Sequence, residues 1–366
     1  MVRVQLPVRR PPGHVARSRF DVWALKPDEL QALLPGHSGA ASFEALQRPW
    51  RWDSSGPALS AKVLGQLGPL GLPVVRERRP SSDGATKLLL ELDHGSIECV
   101  HMPREVTHGK VTLCVSSQIG CAMACSFCAT AQMGLRGQLS AGEIVAQVLV
   151  ALRELGPRHP GELTLVFMGM GEPLHNWPRV ARALQVLQHP AGLGLSPRRI
   201  TLSTSGLVPQ IEKLAQFPER PLLAVSLNAT TDELRRQLMP VAARHSLAEL
   251  RAVLERFPLR PRERITVEYV LLAGVNDSLE DAARLADYCA TFRHHINLIP
   301  YNAPAGSAAH SSGPRFEPPS EEHIEAFVRA VLARHSTLLT VRRTRGRDVA
   351  GACGQLALAA GGPSTT

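Results

Sequence analysis

Three of the chain's seven cysteines stand close together, at Cys121, Cys125 and Cys128. Three residues separate the first pair and two separate the second, a spacing typical of metal or iron–sulfur ligands carried on one loop. Thiolates suit zinc or an iron–sulfur cluster, and a closed structural zinc site takes four ligands. No fourth cysteine lies nearby at a matching spacing. Three thiolates on a four-iron cluster would leave one iron open for a cofactor or substrate; the alternative is a zinc site completed by a distant histidine.

Glycines and small polar residues follow several of the β-branched runs that predict strands. Gly169 and Gly171 precede Glu172 in "FMGMGEP", where the missing Cβ lets the backbone approach a ligand closely. Short polar side chains at the ends of later strands can hydrogen-bond a ribose or a carboxylate, although Ser and Asn also cap helices. The candidates at these strand ends are Ser203, Ser226, Leu227, Asn228 and Asn302.

From about residue 110, strand patterns alternate with helix patterns. Six β-branched runs, from "KVTLCVSS" to "HINLIPYN", are separated by helical runs such as "SAGEIVAQVLVALREL". This alternation predicts parallel β/α units, and six units predict an incomplete β/α barrel or a doubly wound sheet, between which the pattern does not distinguish. Both architectures place chemistry at the carboxyl ends of the strands, where the cysteine loop and the polar candidates lie.

The first 90 residues have a different pattern, with short helical runs at 26–34 and 60–68 between Gly-, Pro- and Ser-rich loops. A hairpin follows over 87–102, with its turn at Asp93 to Gly95. We therefore predict a small helical accessory domain over 1–90, a catalytic domain over 91–357 that starts with the hairpin extension, and a flexible tail over 358–366.

Composition narrows the class of protein. At 366 residues and 44% hydrophobic, the chain can bury a substantial core. No segment reads as a signal peptide, and no apolar run approaches the roughly 20 residues that span a membrane, so we expect a cytoplasmic protein. The net charge of +9 suits a nucleic-acid partner, although an arginine-rich codon bias is an alternative source. With only 4% aromatic residues, recognition through shape and phosphates is expected rather than a broad stacking platform.

Several motifs, in order along residues 95–357, resemble those of a known family. They are "TLCVSSQIGCAMACSFCATAQ", "FMGMGEPL", "TLSTSG", "VEYVLL", "NLIPYN" and "DVAGACGQL". The family is that of the radical S-adenosylmethionine (SAM) dual-specificity RNA methyltransferases, which methylate adenosine C2 in large-subunit rRNA and in tRNA; close relatives methylate C8. The resemblance implies an α/β fold with a partial (β/α)6 radical SAM barrel.

The same resemblance implies the cofactors and the residues that hold them. A 4Fe–4S cluster would be ligated by Cys121, Cys125 and Cys128, and its open iron would bind the methionine moiety of SAM. Gly171 and Glu172 would contact SAM, with the carboxylate pairing with its ammonium group. The further SAM contacts would be Ser203, Ser226, Leu227, Asn228 and Asn302. Asn228 stands where the family usually has histidine, and "TAQMGLRGQL" departs from the usual continuation after the cluster.

Adenine C2 has no nucleophilic lone pair, so the resemblance implies an indirect route to its methylation. Cys353 would receive a methyl group from one SAM, and the radical from a second SAM would activate that group for addition to the base. Cys114 would then release the RNA by forming a transient disulfide with Cys353, and Glu98 would accept the proton. The remaining cysteines, Cys99 and Cys289, are interpreted as small buried hydrophobes.

The partners follow from the same hypothesis. Arg342, Arg343, Arg345 and Arg347 precede Cys353 and could hold RNA phosphates, although a solvated basic face is the alternative. A flavodoxin or ferredoxin would supply electrons to a monomeric enzyme, and the target base would turn out into the pocket. The alternative functions are C8 methylation, another radical SAM modification of RNA, and a non-catalytic zinc protein that binds RNA.

Overall fold

The computed structural model describes residues 19–53, 56–68, 70–103, 110–154, 163–303, 315–342 and 345–356. The predicted tail over 358–366 lies outside these residues. The strands are β1 (Val74–Pro80), β2 (Thr86–Leu92), β3 (Gly95–Pro103), β4 (Val111–Cys114), β5 (Gln118–Gly120), β6 (Leu135–Gln138), β7 (Leu163–Phe167), β8 (Ile200–Thr204), β9 (Leu222–Ser226), β10 (Ile265–Leu271), β11 (His294–Pro300) and β12 (Leu339–Val341).

The helices alternate with the strands in the second part of the chain. They are α1 (Pro27–Leu33), α2 (Gly39–Gln47), α3 (Ala61–Leu67), α4 (Ala129–Gln132), α5 (Ala141–Glu154), α6 (Trp177–Leu187), α7 (Val208–Ala215), α8 (Asp232–Leu238), α9 (Leu247–Glu255), α10 (Leu279–Cys289) and α11 (Glu321–Arg334). None of the helices within the described ranges is long and apolar enough to cross a membrane.

The six predicted strands are β4, β7, β8, β9, β10 and β11, which pair in that order and in parallel. This is the predicted partial (β/α)6 barrel, and β12 adds a short seventh parallel strand that the sequence analysis did not identify. The inner strands are buried along most of their length because helices cover the sheet. Parallel pairing brings all their carboxyl ends to one edge, where the cysteine loop begins.

The hairpin extension forms the other end of the same sheet. β2 and β3 pair antiparallel around the predicted turn, and β3 pairs antiparallel with β4. β1, which the sequence analysis missed, pairs with β2 as an edge strand. The sheet therefore begins at β1, within the segment predicted as a helical accessory domain, and residue 90 lies inside β2.

The N-terminal helices α1 and α3 form where the sequence predicts helices, and α2 lies between them. Their buried residues belong to one continuous hydrophobic cluster with the barrel. The approach is close at Gly142 in α5, where an added Cβ would lie 1.9 Å from the Phe20 carbonyl oxygen. Arg182 of α6 reinforces the contact, since its Nε donates to the Ala24 carbonyl at 2.8 Å. The N-terminal segment before α1 thus packs directly on the barrel helices α5 and α6.

Candidate active site

A cavity with about 980 Å³ of empty space, counting its open mouth, lies at the carboxyl ends of the parallel strands. The three clustered cysteines form part of its wall, and the polar strand ends form another part. Cys353 closes it from the C-terminal segment. Every residue proposed for the cluster or for SAM lines it except Leu227: the lining includes Cys121, Cys125, Cys128, Gly171, Glu172, Ser203, Ser226, Asn228 and Asn302.

The loop that carries the three cysteines is held in shape by its own backbone. It connects β5 to β6, which pair antiparallel, and the Cys121 amide donates to the Gly134 carbonyl at 3.1 Å. The Cys128 amide donates to the Cys125 carbonyl at 3.2 Å, and Ala124 adopts a positive φ of 54°. The turns made by these bonds present all three thiols to the cavity.

The three thiols have the chemistry that an iron–sulfur cluster requires. Burial raises the pKa of each, that of Cys121 to about 12, because the thiolate loses its hydration. A bound cluster reverses this penalty, since iron coordinates the deprotonated sulfur. The Met123 amide also donates to the Cys121 sulfur at 3.5 Å, a contact of the kind that tunes cluster ligands.

The arrangement does not form a closed zinc site. Among the residues that the structure describes, no three His, Cys, Asp or Glu side chains converge tightly enough to enclose a single metal ion. Ligands of a cluster need not converge so tightly, because each binds a different iron. The Glu172 carboxylate lies near Cys121 and Cys125, where its negative charge raises the pKa of both thiols. The donor set therefore fits a cluster with a polar group beside its open position.

Gly171 and Glu172 are fixed against β5, the strand that leads into the cysteine loop. Gly171 has a φ of +96°, and an added Cβ would lie 2.5 Å from Cβ of Gln118. The Glu172 amide donates to Oε1 of Gln118 at 2.7 Å. The Glu172 carboxylate accepts bonds from the amides of Ser205 at 2.7 Å and Leu174 at 3.0 Å, although burial still raises its pKa. A buried carboxylate that faces the cavity is suited to bind an ammonium group.

Ser203, in β8, lines the cavity together with Glu268, a carboxylate that the sequence analysis quoted in "VEYVLL" without assigning a role. The Ser203 hydroxyl donates to Oε2 of Glu268 at 2.8 Å. Oε1 of Glu268 is buried and has no hydrogen-bond partner among the described residues. In the sequence, Glu268 is a single polar residue between apolar neighbours on a strand, a pattern that does not indicate a residue of the site. Its position at the cavity depends on how β10 is placed in the fold.

Of the two neighbours Leu227 and Asn228, only Asn228 lines the cavity. Asn228 has a positive φ of 56°, which asparagine tolerates better than most residues. Its Oδ1 accepts from the Val270 amide at 2.9 Å, and its Nδ2 donates to the Met239 sulfur at 3.4 Å, so the side chain is engaged within the protein. The Leu227 side chain is buried in the hydrophobic core. Its carbonyl accepts from Nε of Arg235 at 3.2 Å.

The segment that carries Cys353 is attached to the cysteine loop. The Ala129 amide donates to the Gly354 carbonyl at 2.8 Å, and the Thr130 hydroxyl donates to the Leu356 carbonyl. The Gln355 side-chain amide donates to the Ala303 carbonyl at 2.7 Å. These bonds bring Cys353, at the far end of the chain, onto the cavity beside Cys128.

Cys114 lies next to Cys353, at the end of β4. Burial is the main cause of its raised pKa, and the nearby Cys353 thiolate raises that pKa further. Arg342 stands beside both thiols and opposes the effect of burial on the pKa of each. It is half-buried and donates to the Met168 sulfur at 3.8 Å, so its guanidinium faces the thiol pair. Cys99 and Cys289 are fully buried, as expected.

Replacing Arg342 by methionine is expected to slow alkylation of Cys353 by iodoacetamide at neutral pH and to move its pH profile upward. Without the cation the thiol pKa rises, and each unit costs about tenfold in thiolate at fixed pH. Peptide mass spectrometry of the anaerobic protein over a pH series measures this. Arg329→Met, which removes an exposed arginine paired with Glu325 on α11, is the control. An unchanged profile in Arg342→Met would contradict the assignment.

Glu98 lies one strand away from Cys114 and forms a buried ion pair. Its Oε1 lies 3.0 Å from the ammonium of Lys87, and both side chains are 3% exposed. Burial raises the pKa of Glu98, and the Lys87 charge is the largest effect that lowers it. Lys87 is a second functional candidate that sequence reasoning missed. The predicted hairpin could have identified Lys87, because the position of the turn determines which residues of the two strands lie on the same face of the sheet.

The basic segment before Cys353 is only partly exposed. Arg345 donates to the Pro103 carbonyl at the end of β3, and Arg342 faces the thiols. Arg343 and the side chain of Arg347 lie outside the described part of the chain. Arg342 thus lies beside the two thiols, and the phosphate-binding role of the segment stays a prediction.

Comparisons with known proteins agree with this geometry. The model of the radical SAM superfamily matches residues 115–286. The dual-specificity RNA methyltransferase RlmN of Geobacter sulfurreducens is 48% identical over 354 residues, which cover 92% of this chain and 92% of that protein. The corresponding protein of Nitratidesulfovibrio vulgaris (strain DSM 19637 / Miyazaki F) is 42% identical over 92% of this chain and 94% of its own length. The structure of a radical SAM methyltransferase from Sphaerobacter thermophilus gives a TM-score of 0.81 at 37% identity and covers 91% of this chain and 98% of that one.

Proposed function

The chain belongs to the radical SAM superfamily and, within it, to the dual-specificity RNA methyltransferases, and from that membership we propose how its residues divide the methylation of an adenosine carbon. The protein is a SAM-dependent RNA methyltransferase with a 4Fe–4S cluster held by three cysteines. The alternative of a non-catalytic zinc protein is therefore wrong. C2 is the carbon that family membership assigns.

The pocket residues divide into cluster ligands and SAM contacts. Cys121, Cys125 and Cys128 ligate the cluster, because they are the three soft donors on one wall of the cavity. Glu172 receives the ammonium group of SAM, while the ribose and carboxylate bind to the polar wall. That wall consists of Ser203, Ser226, Asn228 and Asn302, with Glu268 hydrogen-bonded to Ser203. When bound, the cluster and SAM supply the methyl group and the radical that abstracts hydrogen from it.

Cys353 accepts the methyl group, and its methylene carbon then joins the adenine ring. Arg342 favours the thiolate needed for the first transfer. To release the RNA, the Cys114 thiolate attacks the Cys353 sulfur: the S–S bond forms, the S–C bond breaks, and its electron pair passes to the methylene carbon. That carbon takes a proton and becomes the methyl group. Proximity of the two thiols favours this exchange.

Before the RNA is released, Glu98 accepts the proton that the ring carbon gives up, and the electron pair of the C–H bond stays on the ring. The remaining unpaired electron of the adduct would pass to the oxidised 4Fe–4S cluster. The Glu98 carboxylate lies on the strand next to Cys114 and is shielded from water. A buried carboxylate with a raised pKa is a stronger base than an exposed one. The Lys87 charge keeps enough of it ionised to act.

The proposal also assigns the RNA contacts, the substrates and the electron donor. The N-terminal domain and the arginine segment hold RNA phosphates, and the target adenosine turns out of its strand into the cavity. Both rRNA and tRNA serve as substrates, a flavodoxin or ferredoxin supplies electrons, and the enzyme works as a monomer in the cytoplasm. Asp83 and Asp348 link the turn between β1 and β2 to the arginine segment through Gly346 and Ser81.

One observation above all supports this division of roles: Cys353 lies between the cysteine loop and Cys114. The bond from the Ala129 amide to the Gly354 carbonyl fixes the first contact, and the effect of the Cys353 charge on the pKa of Cys114 reflects the second. A thiol that serves both a methyl donor and a resolving thiol must reach both. If Cys353 were only a small hydrophobic residue packed in the core, it would need neither contact.

The test uses SAM with a fully deuterated methyl group. Anaerobically reconstituted protein, a reductant and an rRNA fragment are incubated, and the nucleosides are analysed by mass spectrometry. The proposal predicts 2-methyladenosine with two deuterium atoms in the methyl group, since one is abstracted and one proton is added. Three deuterium atoms would indicate direct transfer and overturn the proposal, and 8-methyladenosine would overturn the assignment of C2.

A further inference from the structure

Lys87, in β2, is a buried lysine with two partners of different kinds. Its ammonium lies 3.0 Å from Oε1 of Glu98 and donates to the Ala350 carbonyl at 3.3 Å. Ala350 lies three residues before Cys353 and has a positive φ of 51°. A lysine is seldom buried unless it is paired. This one joins a carboxylate of the hairpin extension to the backbone of the segment that carries the methyl acceptor.

Glu98 is only half satisfied by this pairing. Its Oε1 faces Lys87, while Oε2 is buried and has no hydrogen-bond partner within the described residues. A buried carboxylate oxygen without a partner is costly, and such groups tend to persist where function uses them. The free oxygen is the position from which a base would take a proton.

The strand register places these groups together on one face of the sheet. Lys87 pairs with Val100, and Val100 pairs with Cys114 on its other side. Glu98 is two residues from Val100 and so points to the same face. The C-terminal segment covers this face, since an added Cβ on Gly351 would lie 3.6 Å from Val100. The base, the resolving thiol and the segment with Cys353 thus meet around Lys87.

We propose that Lys87 is a positioning residue that keeps Glu98 ionised and aligned with the Cys353 segment, so that the RNA adduct can lose its proton. The proposal rests on the function proposed above and adds a residue to it. Lys87 exchanges no atom with the substrate. Its charge stabilises the carboxylate, and its bond to the Ala350 carbonyl fixes how far the segment lies from that carboxylate.

The charges around Glu98 make Lys87 the main influence on its ionisation. Burial raises the pKa of Glu98; Lys87 is the largest of the opposing effects, Arg79 lowers the pKa less, and Glu77 raises it. Cys114 is the titratable group on β4 that faces the same side. Without Lys87, Glu98 would stay protonated to higher pH and could accept a proton only there.

The experiment follows single turnovers of the reconstituted holoenzyme with an rRNA fragment. Peptide mass spectrometry measures S-methylation of Cys353, and a denaturing gel measures protein crosslinked to RNA. Lys87→Met should methylate Cys353 at close to the wild-type rate, yet its adduct should decay at least about tenfold more slowly. The acid limb of the decay against pH should move upward. Lys87→Arg should restore decay to within about threefold of wild type, because arginine keeps the charge.

A matched control separates the charge from the attachment of the segment. Asp348 accepts from the Ser82 amide at 3.0 Å and so ties the same segment to the β1–β2 turn without touching Glu98. Asp348→Asn should not trap the adduct. If it traps the adduct as strongly as Lys87→Met, or if Lys87→Arg behaves like Lys87→Met, the proposal is overturned.

Folding does not limit the test. If Lys87→Met fails to fold, Lys87→Gln replaces it, because glutamine is neutral and can still hydrogen-bond both partners; adduct decay at the wild-type rate in Lys87→Gln would overturn the proposal. Failure of the proposed function looks different. In that case the wild-type protein itself would form neither S-methylated Cys353 nor any RNA adduct.

Discussion

Replacement of Cys353 by alanine is expected to lower RNA methylation by at least about 10³-fold, to the background of a nucleoside mass-spectrometry assay. The sulfur of Cys353 forms two bonds in succession along the proposed route, one to the methyl carbon and one to Cys114. No other described thiol outside the cluster lies on the cavity, so no neighbour can replace it. The loss should therefore appear in turnover rather than in affinity for RNA.

The control for this variant is Cys289→Ala. Cys289 is fully buried on α10, away from the cavity, so its loss leaves only a small void in the core. It should methylate RNA like the wild type. The iron content and visible absorption of Cys353→Ala should also be unchanged, since its cluster ligands are intact. Substantial formation of 2-methyladenosine by Cys353→Ala would refute the covalent route.

Replacement of Cys114 by alanine is expected to stop the reaction one step later. The protein should still methylate Cys353 and attack the RNA, but it lacks the thiol that breaks the S–C bond. The adduct should then accumulate toward one RNA per protein, and multiple turnover should fall by at least about 10²-fold. A denaturing gel with labelled RNA detects the crosslinked species. Digestion of this species with a nuclease and a protease should leave a peptide that carries one nucleotide on Cys353.

Cys99→Ala is the matched control for Cys114→Ala. Both cysteines are buried and lie on neighbouring strands, but Cys99 points to the opposite face of β3 from Glu98 and Val100. The segment that carries Cys353 packs on the face of Val100, so the Cys99 side chain points away from it. Cys99→Ala should turn over normally and leave no adduct. Normal turnover by Cys114→Ala, or trapping by Cys99→Ala, would show that the resolving thiol has been assigned to the wrong cysteine.

Much of the barrel was predictable because its signals are local. Each of the six parallel strands is a short β-branched run, and the helices between them show apolar faces. β12 was missed because its three residues carry too little pattern, and β1 because its alternating arginines resemble a solvated face. β1 is stabilised by pairing with β2 and by ion pairs such as that between Arg76 and Glu91, which depend on tertiary contacts.

The chemistry of the site was predictable to the same extent. The spacing of Cys121, Cys125 and Cys128 predicts a shared metal site, because residues so close in sequence must lie on one loop. The polar residues at strand ends were predictable as a group, since parallel strands present their carboxyl ends together. Among all the strand-end candidates, only the structure distinguishes Leu227, which enters the core, from the residues that face the cavity.

The sequence alone determined the type of chemistry, because motif spacing and strand order are properties of neighbouring residues. The tertiary structure alone determined which distant residues cooperate. Arg342 reads as part of a basic surface until β12 turns it toward two thiols, and Lys87 reads as an ordinary strand lysine until the C-terminal segment places the Ala350 carbonyl against it. The physical reason is that charge, burial and desolvation act through space, and the chain order does not encode which surfaces the fold will bring into contact.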